Sequence, residues 1–580
     1  MTSFEDPGTG PSRGSQRLDP GPSAPQAPGR LVSRVVPLAE PLDPLDLAGE
    51  DGFVWRSADS TLVGTGVAAR IAVATGPGRI ERAAGTVATL LEAAEVVDPD
   101  GSGLTPAAVG ALPFHPASPG ELVVPSVLLR TDPEGRTWAV LTEPGPFEAP
   151  SADELVARLR AAAASGRGPA WPPARRVDGG GLWTNDSAHI PGRRTADSAH
   201  ARGRWTADSA HVREGPTADT AHVRGVWTSD SAHVRGGIAS PTGGPGAGPG
   251  EFGAGQGGGG QGGAGQGSGG QGGAGQGGAD QGGAGLRGAG LRGAGLGGAG
   301  QGRAGQRGAD EVGVGSGGSG LDAWRAGVVA ALAAIGGGRL DKVVLAREAA
   351  VEAEWPFPRA ELLRRLERRP GGATFLYAAG GFVGASPELL VRRRGRVAVS
   401  RPMAGTVPQG DAAGEADGLA RLTGSPKEAV EHRLVVDAVA EGLAKVADRV
   451  EVGRPEVVRL ATVAHLATEI TADLTEPLPT ALELAGLLHP TPAVGGSPRD
   501  AALAAIAALE PFDRGRYAGP VGWVDRTGDG EWAVALRCAT LTGPRAHLIA
   551  GAGIVPGSDP DAEWAETEHK LRAMLEVLLA

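Results

Sequence analysis

The chain has 580 residues, but its 98 Gly and 46 Pro crowd into stretches that cannot bury a core, which leaves a shorter foldable length. The net charge of -11 is spread without a basic stripe, so nucleic acid is excluded as an expected partner. A single cysteine, Cys538, excludes an intramolecular disulfide and a cysteine-built zinc site. No window holds the roughly 18 apolar residues of a membrane span, so a cytoplasmic protein without a membrane partner is expected.

Residues 1–29, rich in Pro, Gly and Ser, are predicted to form a disordered tail. From Leu31 to about Gly145, LVSRVVPL, ARIAVATG, ELVVPSVLL and TWAVLTE read as strands, and Ile80 to Val96 as an amphipathic helix. A further helix starts at SADELVARLRAAAA, where Ser151 as N-cap and Glu154 three residues on predict a capping box. Residues 30–170 thus form the N-terminal part of a globular domain.

The pattern then gives way to a repeat. His189, His200, His211, His222 and His233 recur every eleven residues in variants of W-T-A-D-S-A-H-V-R-G. Each unit contains Gly, Pro, Thr or Ser and lacks a continuous apolar stripe, so residues 171–235 are read as a disordered repeat and not a supercoil. An Asp-x-x-His pair such as Asp197 and His200 would catch a metal ion only on a helix. Residues 236–320 are Gly/Gln-rich, a linker with too few side chains to offset its ordering entropy.

Leu321 to Ile335 resumes as an apolar helix ended by Gly336 to Gly338, and Lys342 opens the strand-like KVVLARE. Between Thr374 and Val407, TFLYAAG, GFVGAS, LLVRRRG and RVAVSRPMAGT predict a meander, with Glu388 at a strand entry after Ser386 and Pro387. Lys427 to Val446 is predicted helical, with Glu428 and Glu431 on one face, and the last helix sets Glu563, Glu566 and Lys570 at spacings of three and four. Such carboxylate pairs can hold a hard cation, although spacing alone does not separate them from solvated surface. Of the 55 Lys and Arg only Lys342, Lys427, Lys445 and Lys570 are lysines. A lysine can deprotonate near neutral pH where arginine cannot, which makes each of them a candidate for proton chemistry. Lys445 has no motif and is assigned to a helix surface.

In combination and order, KVVLARE, GASPELLVRRRG, MAGTVPQG, SPKEAVEHRLVVDAV, ATVAHLATEI, LHPTPAVGGSP, EPFDRGRYAGPVGWVD, GEWAVALRCA and IAGAGIVPGSDPDAEWAETEHK resemble the chorismate-binding enzymes, isochorismate synthases most of all. VSRVVPL and GALPFHP also look like the variable front of menaquinone-pathway members. The resemblance implies an α/β (α+β) sandwich of antiparallel sheets flanked by helices, formed by residues 30–170 and 321–580 together, with 321–580 as the catalytic chorismate-binding domain. It implies Mg2+ as cofactor, chorismate as substrate, a monomer, and isomerisation to isochorismate by water addition at C2 and loss of the C4 hydroxyl, feeding menaquinone or siderophore biosynthesis.

Residue by residue, the resemblance implies Lys342 as general base and Glu388 as general acid. Glu431 and Glu566 match magnesium ligands, with Glu428 and Glu563 as supporting carboxylates. Tyr517, Arg537, Ala550 and Gly551 match positions that receive the enolpyruvyl carboxylate, and Gly405, Thr406, His465 and Lys570 line the ring and its C1 carboxylate. On the residues alone, Arg537 in the alternating AVALRCA can simply reach solvent and His465 can be a satisfied core histidine. Cys538 reads as a buried small hydrophobe. Lys342 favours water over ammonia as nucleophile, and Ala404 stands where aminodeoxychorismate synthases use a lysine. Salicylate synthase and anthranilate synthase component I remain alternatives, and a non-enzymatic interaction protein built on the repeats is the rival from another class.

Replacing residues 178–318 by a short flexible linker is expected to leave kcat and KM within a few-fold of the full chain, since none of the candidate positions lies there and loop-closure entropy grows only with the logarithm of length. Assay of the deletion variant with and without Zn2+ checks this; a large loss of activity, or loss of a zinc response, would make the repeats a regulatory module.

Overall fold

Strand formation begins at Leu31–Leu38, where β-branched and apolar residues carry one buried face. The computed structural model describes residues 30–177 and 320–580, except 40, 41, 133, 166–170, 370–373, 409–419, 421 and 461. The readings made of residues 1–29 and 178–319 lie outside the described residues. Those described fall in one compact unit, and no helix among them is long and apolar enough to cross a membrane.

The elements that position the site are, in chain order, β1 (Ala174–Val177), α1 (Gly320–Gly336), β2 (Lys342–Ala353), β3 (Phe382–Ser386), β4 (Met403–Pro408), α2 (Pro426–Leu443), β5 (Val463–Ala467), β6 (Cys538–Thr542), β7 (Arg545–Ile554) and α3 (Pro560–Leu579). Among the described residues a first sheet of 13 strands runs β1, β2, β7, β6, β3 and then Phe375–Ala379, which pairs with Phe53–Arg56 and so continues into N-terminal strands. A second sheet of nine strands does the same where Pro520–Asp525 pairs with Ala107–Ala111. A third, of three strands, contains β4 and β5. Among the described residues pairing is antiparallel except between Leu31–Leu38 and Glu95–Val97. The architecture is the expected mixed one of antiparallel sheets with helices against them.

Both large sheets share one apolar cluster, in which Trp55 and Phe375 come from the first and Trp523 and Trp532 from the second. A second cluster seats Leu571, Met574, Leu575 and Leu578 of α3 with Ala349 and Val351 of β2 and Leu548 of β7. The helix starts are fixed locally. Ser425 accepts from the Glu428 amide with Pro426 following, Asp559 accepts from the Asp561 and Ala562 amides with Pro560 following, and Ser151 and Glu154 form the predicted capping box.

Several expectations are corrected. ELVVPSVLL is two strands, Gly120–Val124 and Val127–Thr131, in different sheets, because Pro125 has no amide to continue a ladder. The helix from Ile80 ends at Glu92, and Val96 joins a strand against Val32–Arg34, where a waiting sheet edge captures its β-branched side chain. Residues 174–177, grouped above with the repeats, form β1 against β2. The run from Thr374 to Val407 is no meander in one sheet: the chain crosses from the first sheet to the second at Pro387 and to the third at Pro402.

Arg359 ties the two halves together. Its buried guanidinium donates to the carbonyls of Gly52 (2.7 Å), Ala48 (3.0 Å) and Gly49 in the N-terminal half and of Gly380 (3.0 Å) in the C-terminal half. Arg359→Ala should orphan these carbonyls and lower the unfolding free energy by about 3 kcal/mol or more. Chemical denaturation checks this; a loss below about 1 kcal/mol would mean that water replaces the guanidinium.

Candidate active site

A cavity of about 50 Å3 lies where β2, β4, β5, β7 and α2 converge, and its wall includes Glu388, Gly405, Thr406, Glu431, His465, Tyr517, Arg537, Gly551 and Lys570. Nine of the predicted positions therefore surround one space. Small-molecule sites usually offer roughly 300 Å3 or more, so this space must widen to admit a ligand. A larger hollow of about 1620 Å3, beside α1 and the helix Arg499–Leu509, contains only Tyr517 of the predicted set. Size and chemistry disagree, and the converging acids and bases decide for the smaller space.

Glu388 owes its place to the sheet crossing. Ser386 Oγ donates to the Val534 carbonyl (2.6 Å) and accepts from the Glu388 amide (3.2 Å), which fixes the carboxyl inward beside Pro387. Burial pushes it up to about 8, against the pull of the Met403 backbone and of the charges of Lys342, Arg537 and Lys570. It holds its proton at neutral pH.

Lys342 is 0% exposed, and its ammonium stands 2.9 Å from Glu431 Oε1 on α2. Burial alone would raise Glu431, but Lys342, with Lys570 and Lys427 beyond it, holds that carboxyl below its usual range. Lys427 pairs with Glu563 at 2.9 Å, and Lys570 with Glu566 at 2.6 Å and with the Gly551 carbonyl at 3.0 Å. Glu428 accepts from the Thr406 amide at 3.1 Å; burial first, then Glu431, pushes its carboxyl up to about 7. Burial and the neighbouring Glu566 likewise raise Glu563. Lys342, Glu428, Glu563 and Glu566 thus stand behind the cavity wall, joined to it through Glu431, Thr406 and Lys570.

His465 and Arg537 form the other wall. Arg537 Nη2 is 3.1 Å from His465 Nε2, and arginine can only donate, so Nε2 accepts and the ring proton sits on Nδ1, which donates to the Gly405 carbonyl at 3.0 Å. Burial and the Arg537 and Lys570 charges hold His465 well below the usual imidazole range, so it stays neutral. Arg537 lies between two strands and not within one, at φ 48, a left-handed conformation that breaks the alternation read from AVALRCA and turns it into the cavity. Burial pushes Tyr517 up to about 12, so its hydroxyl is a neutral donor.

Two glycines keep the space. A Cβ on Gly405, at φ 75, would stand 3.0 Å from Glu428 Oε2, and one on Gly553 would stand 2.5 Å from Glu431 Oε1 and 3.0 Å from Lys342 Cε. Gly553 was not singled out by the sequence reading; its signal is the alternation of glycines in IAGAGI. Val344, Ala493, Val494 and Leu536, with Pro387, Met403 and Ala404, complete the wall, and the first four carry no chemical signal that separates them from core. Ala550 is placed differently from Gly551, its side chain in the apolar cluster under α3. Lys445 is exposed just beyond α2.

Among the described residues no three His, Cys, Asp or Glu gather tightly enough to hold a metal ion as they stand. The donor chemistry nonetheless fits a hard cation. Four carboxylates on α2 and α3 repel one another, as the raised Glu428 and Glu563 record, and three lysines stand against them as counter-ions. A dication would relieve that repulsion once lysines yield.

A family profile described as chorismate binding enzyme matches residues 317–579. The isochorismate synthase DhbC of Bacillus subtilis is 42% identical over 44% of this chain and 67% of its own length. The isochorismate synthase EntC of Escherichia coli is 43% identical over 41% of this chain and 62% of its own. The solved structure of MenF, the menaquinone-specific isochorismate synthase of Escherichia coli, superposes with a TM-score of 0.57 at 22% identity over 97% of both chains, a likeness of fold.

Gly553→Ala should drive Glu431 from Lys342 and lower turnover by about 10²-fold, since displacements near 1 Å at reacting groups cost that much. Steady-state kinetics beside a melting curve checks it; near-normal kcat would show that the pair can shift without consequence.

Proposed function

The chain belongs to the chorismate binding enzyme family, and on that premise we propose that it is an isochorismate synthase that converts chorismate to isochorismate with Mg2+. The observation that carries the reading is a buried carboxylic acid, Glu388, in the wall of one small space shared with Arg537, Lys570, Tyr517 and Thr406, and a buried lysine, Lys342, joined to that wall through Glu431. In that chemistry water forms a bond to C2 as the ring double bond shifts and the C4–O bond breaks. Lys342 Nζ, after giving up the ammonium proton it carries in its pair with Glu431, takes the proton from the attacking water, and Glu388 gives its proton to the departing C4 hydroxyl. Each transfer contributes ~10²- to 10⁴-fold. The two groups end with exchanged protonation and reset through solvent.

Chorismate is a dianion, and each carboxylate needs a partner. Arg537 and Tyr517, with the backbone at Gly551, suit the enolpyruvyl carboxylate, while Thr406, the neutral His465 and Lys570 suit the ring and its C1 carboxylate. Mg2+, when bound by Glu431 and Glu566 with Glu428 and Glu563 beside them, supplies positive charge to that carboxylate. Burial of Lys342 keeps its Nζ from bulk water.

Incubation with chorismate and Mg2+, with products separated by chromatography, should yield isochorismate; excess EDTA should abolish turnover, and Lys342→Ala should lose ~10²-fold or more in kcat. Because Glu388 acts in its protonated form and titrates at about 8, kcat/KM should fall as pH rises through about 8. Stoichiometric pyruvate would move the assignment to salicylate synthesis, and full turnover in EDTA would remove the metal.

A further inference from the structure

The two ends of chain that bracket residues 178–319 are both fastened to α3, the helix that carries Glu563, Glu566 and Lys570. On one side, Arg176 of β1 grips Glu568 with both Nη atoms, Nη2 at 3.0 Å from Oε2. On the other, Trp324 of α1 donates from Nε1 to the Pro560 carbonyl at 2.9 Å, its ring meets Trp564 edge-on with centroids 6.1 Å apart, and Arg325 Nε lies 2.7 Å from Asp561. Arg347 of β2, the strand that begins with Lys342, completes the fastening. It donates to Thr567 Oγ1 at 2.6 Å and to Glu568, and its guanidinium lies 3.8 Å over the Trp564 ring. The Arg176 and Arg347 contacts hold the Glu568 carboxyl down to about 2, so it is charged at any working pH.

On α3, Asp561, Trp564 and Glu568 recur at spacings of three and four along one side, while Glu563, Glu566 and Lys570 follow the opposite side of the same rigid helix. Contacts to the first side therefore set where the second points. With side chains about 5–6 Å from a helix axis, a rotation of about 10° moves a carboxylate by about 1 Å. A metal–ligand distance tolerates only about 0.2 Å.

We propose that Glu568, held between Arg176 and Arg347, is a positioning residue that aims the Glu563 and Glu566 carboxylates of α3, so that the strand leading into residues 178–319 sets the affinity of the enzyme for its divalent cation. It rests on the magnesium reading above. The first of the three contacts lies on a strand that a sequence reading assigns to the repeats, so a linker replacement keeps the fastening only if it starts after Val177.

Isothermal titration of the full chain with Mg2+, without substrate, tests this in the wild type, Arg176→Ala, Arg176→Lys and Glu568→Gln. Glu568→Gln and Arg176→Ala should each weaken Mg2+ binding by about 10-fold, as loss of groups that orient metal ligands does, and Arg176→Lys should recover most of it. Melting temperatures in EDTA should stay within a few degrees of wild type, and kcat at saturating Mg2+ within a few-fold. Unchanged Mg2+ affinity in both Glu568→Gln and Arg176→Ala would overturn the positioning role while leaving the metal reading intact. So would a weakening that appears only with a large fall in melting temperature. Absence of Mg2+ uptake by the wild type would instead remove the metal reading, and this role with it.

Discussion

The structure depends on keeping carboxylates charged where water is scarce. An unpaired buried carboxylate carries a penalty of several kcal/mol, and here Glu431, Glu563 and Glu566 each meet that penalty with a lysine at 2.6–2.9 Å. Removing either member of such a pair leaves the other charge uncompensated, so the pairs act as a set. Glu388 has no such partner within contact and escapes the penalty by remaining protonated. One burial rule thus produces two kinds of carboxyl: lysine-paired groups on α2 and α3, and groups that burial raises without a lysine in contact, Glu388 at the sheet crossing and, less far, Glu428 on α2.

The same rule explains why lysine persists here in a chain where 51 of 55 basic residues are arginine. An ammonium is a compact charge that can move between partners and can lose its proton, whereas guanidinium is fixed in both respects. Arginine is used where permanence serves: Arg359 between the two halves, Arg514 locked to Glu510 at 2.6 Å beneath Tyr517, and Arg347 under α3. Composition thus separates these two duties residue by residue.

Much of this was legible in the sequence because it is local. The cap at Ser151 announced its helix, and the i, i+3 spacings put Glu428 with Glu431 and Glu563 with Glu566. What was not legible is long-range. Nothing in VGASPELL states that the strand before Pro387 and the strand after it belong to different sheets, although that change is what aims Glu388. Arg537 alternates like any strand residue and is exposed as an exception only by its backbone at φ 48. Gly553 carries no chemistry of its own; its role is the absence of a Cβ beside Glu431. The entry strand Ala174–Val177 is short and Arg-rich, and only its pairing with β2 distinguishes it from the repeats that follow.

The interleaving of the two halves bears on how the chain is made. Phe53–Arg56 waits for Phe375–Ala379, and Ala107–Ala111 for Pro520–Asp525, so neither large sheet can be completed until synthesis is far past residues 178–319. At roughly 5–20 residues per second the ribosome needs about 15 s to about 1 min to travel from the first of these strands to its partner. Throughout that interval the nascent N-terminal half presents unpaired ladder edges and the apolar faces around Trp55 and Leu112, surfaces that invite pairing with other chains. Assembly of such distant contacts is intrinsically slow. Yield in a cell should therefore respond to chaperone supply and translation rate more than to the stability of the finished enzyme.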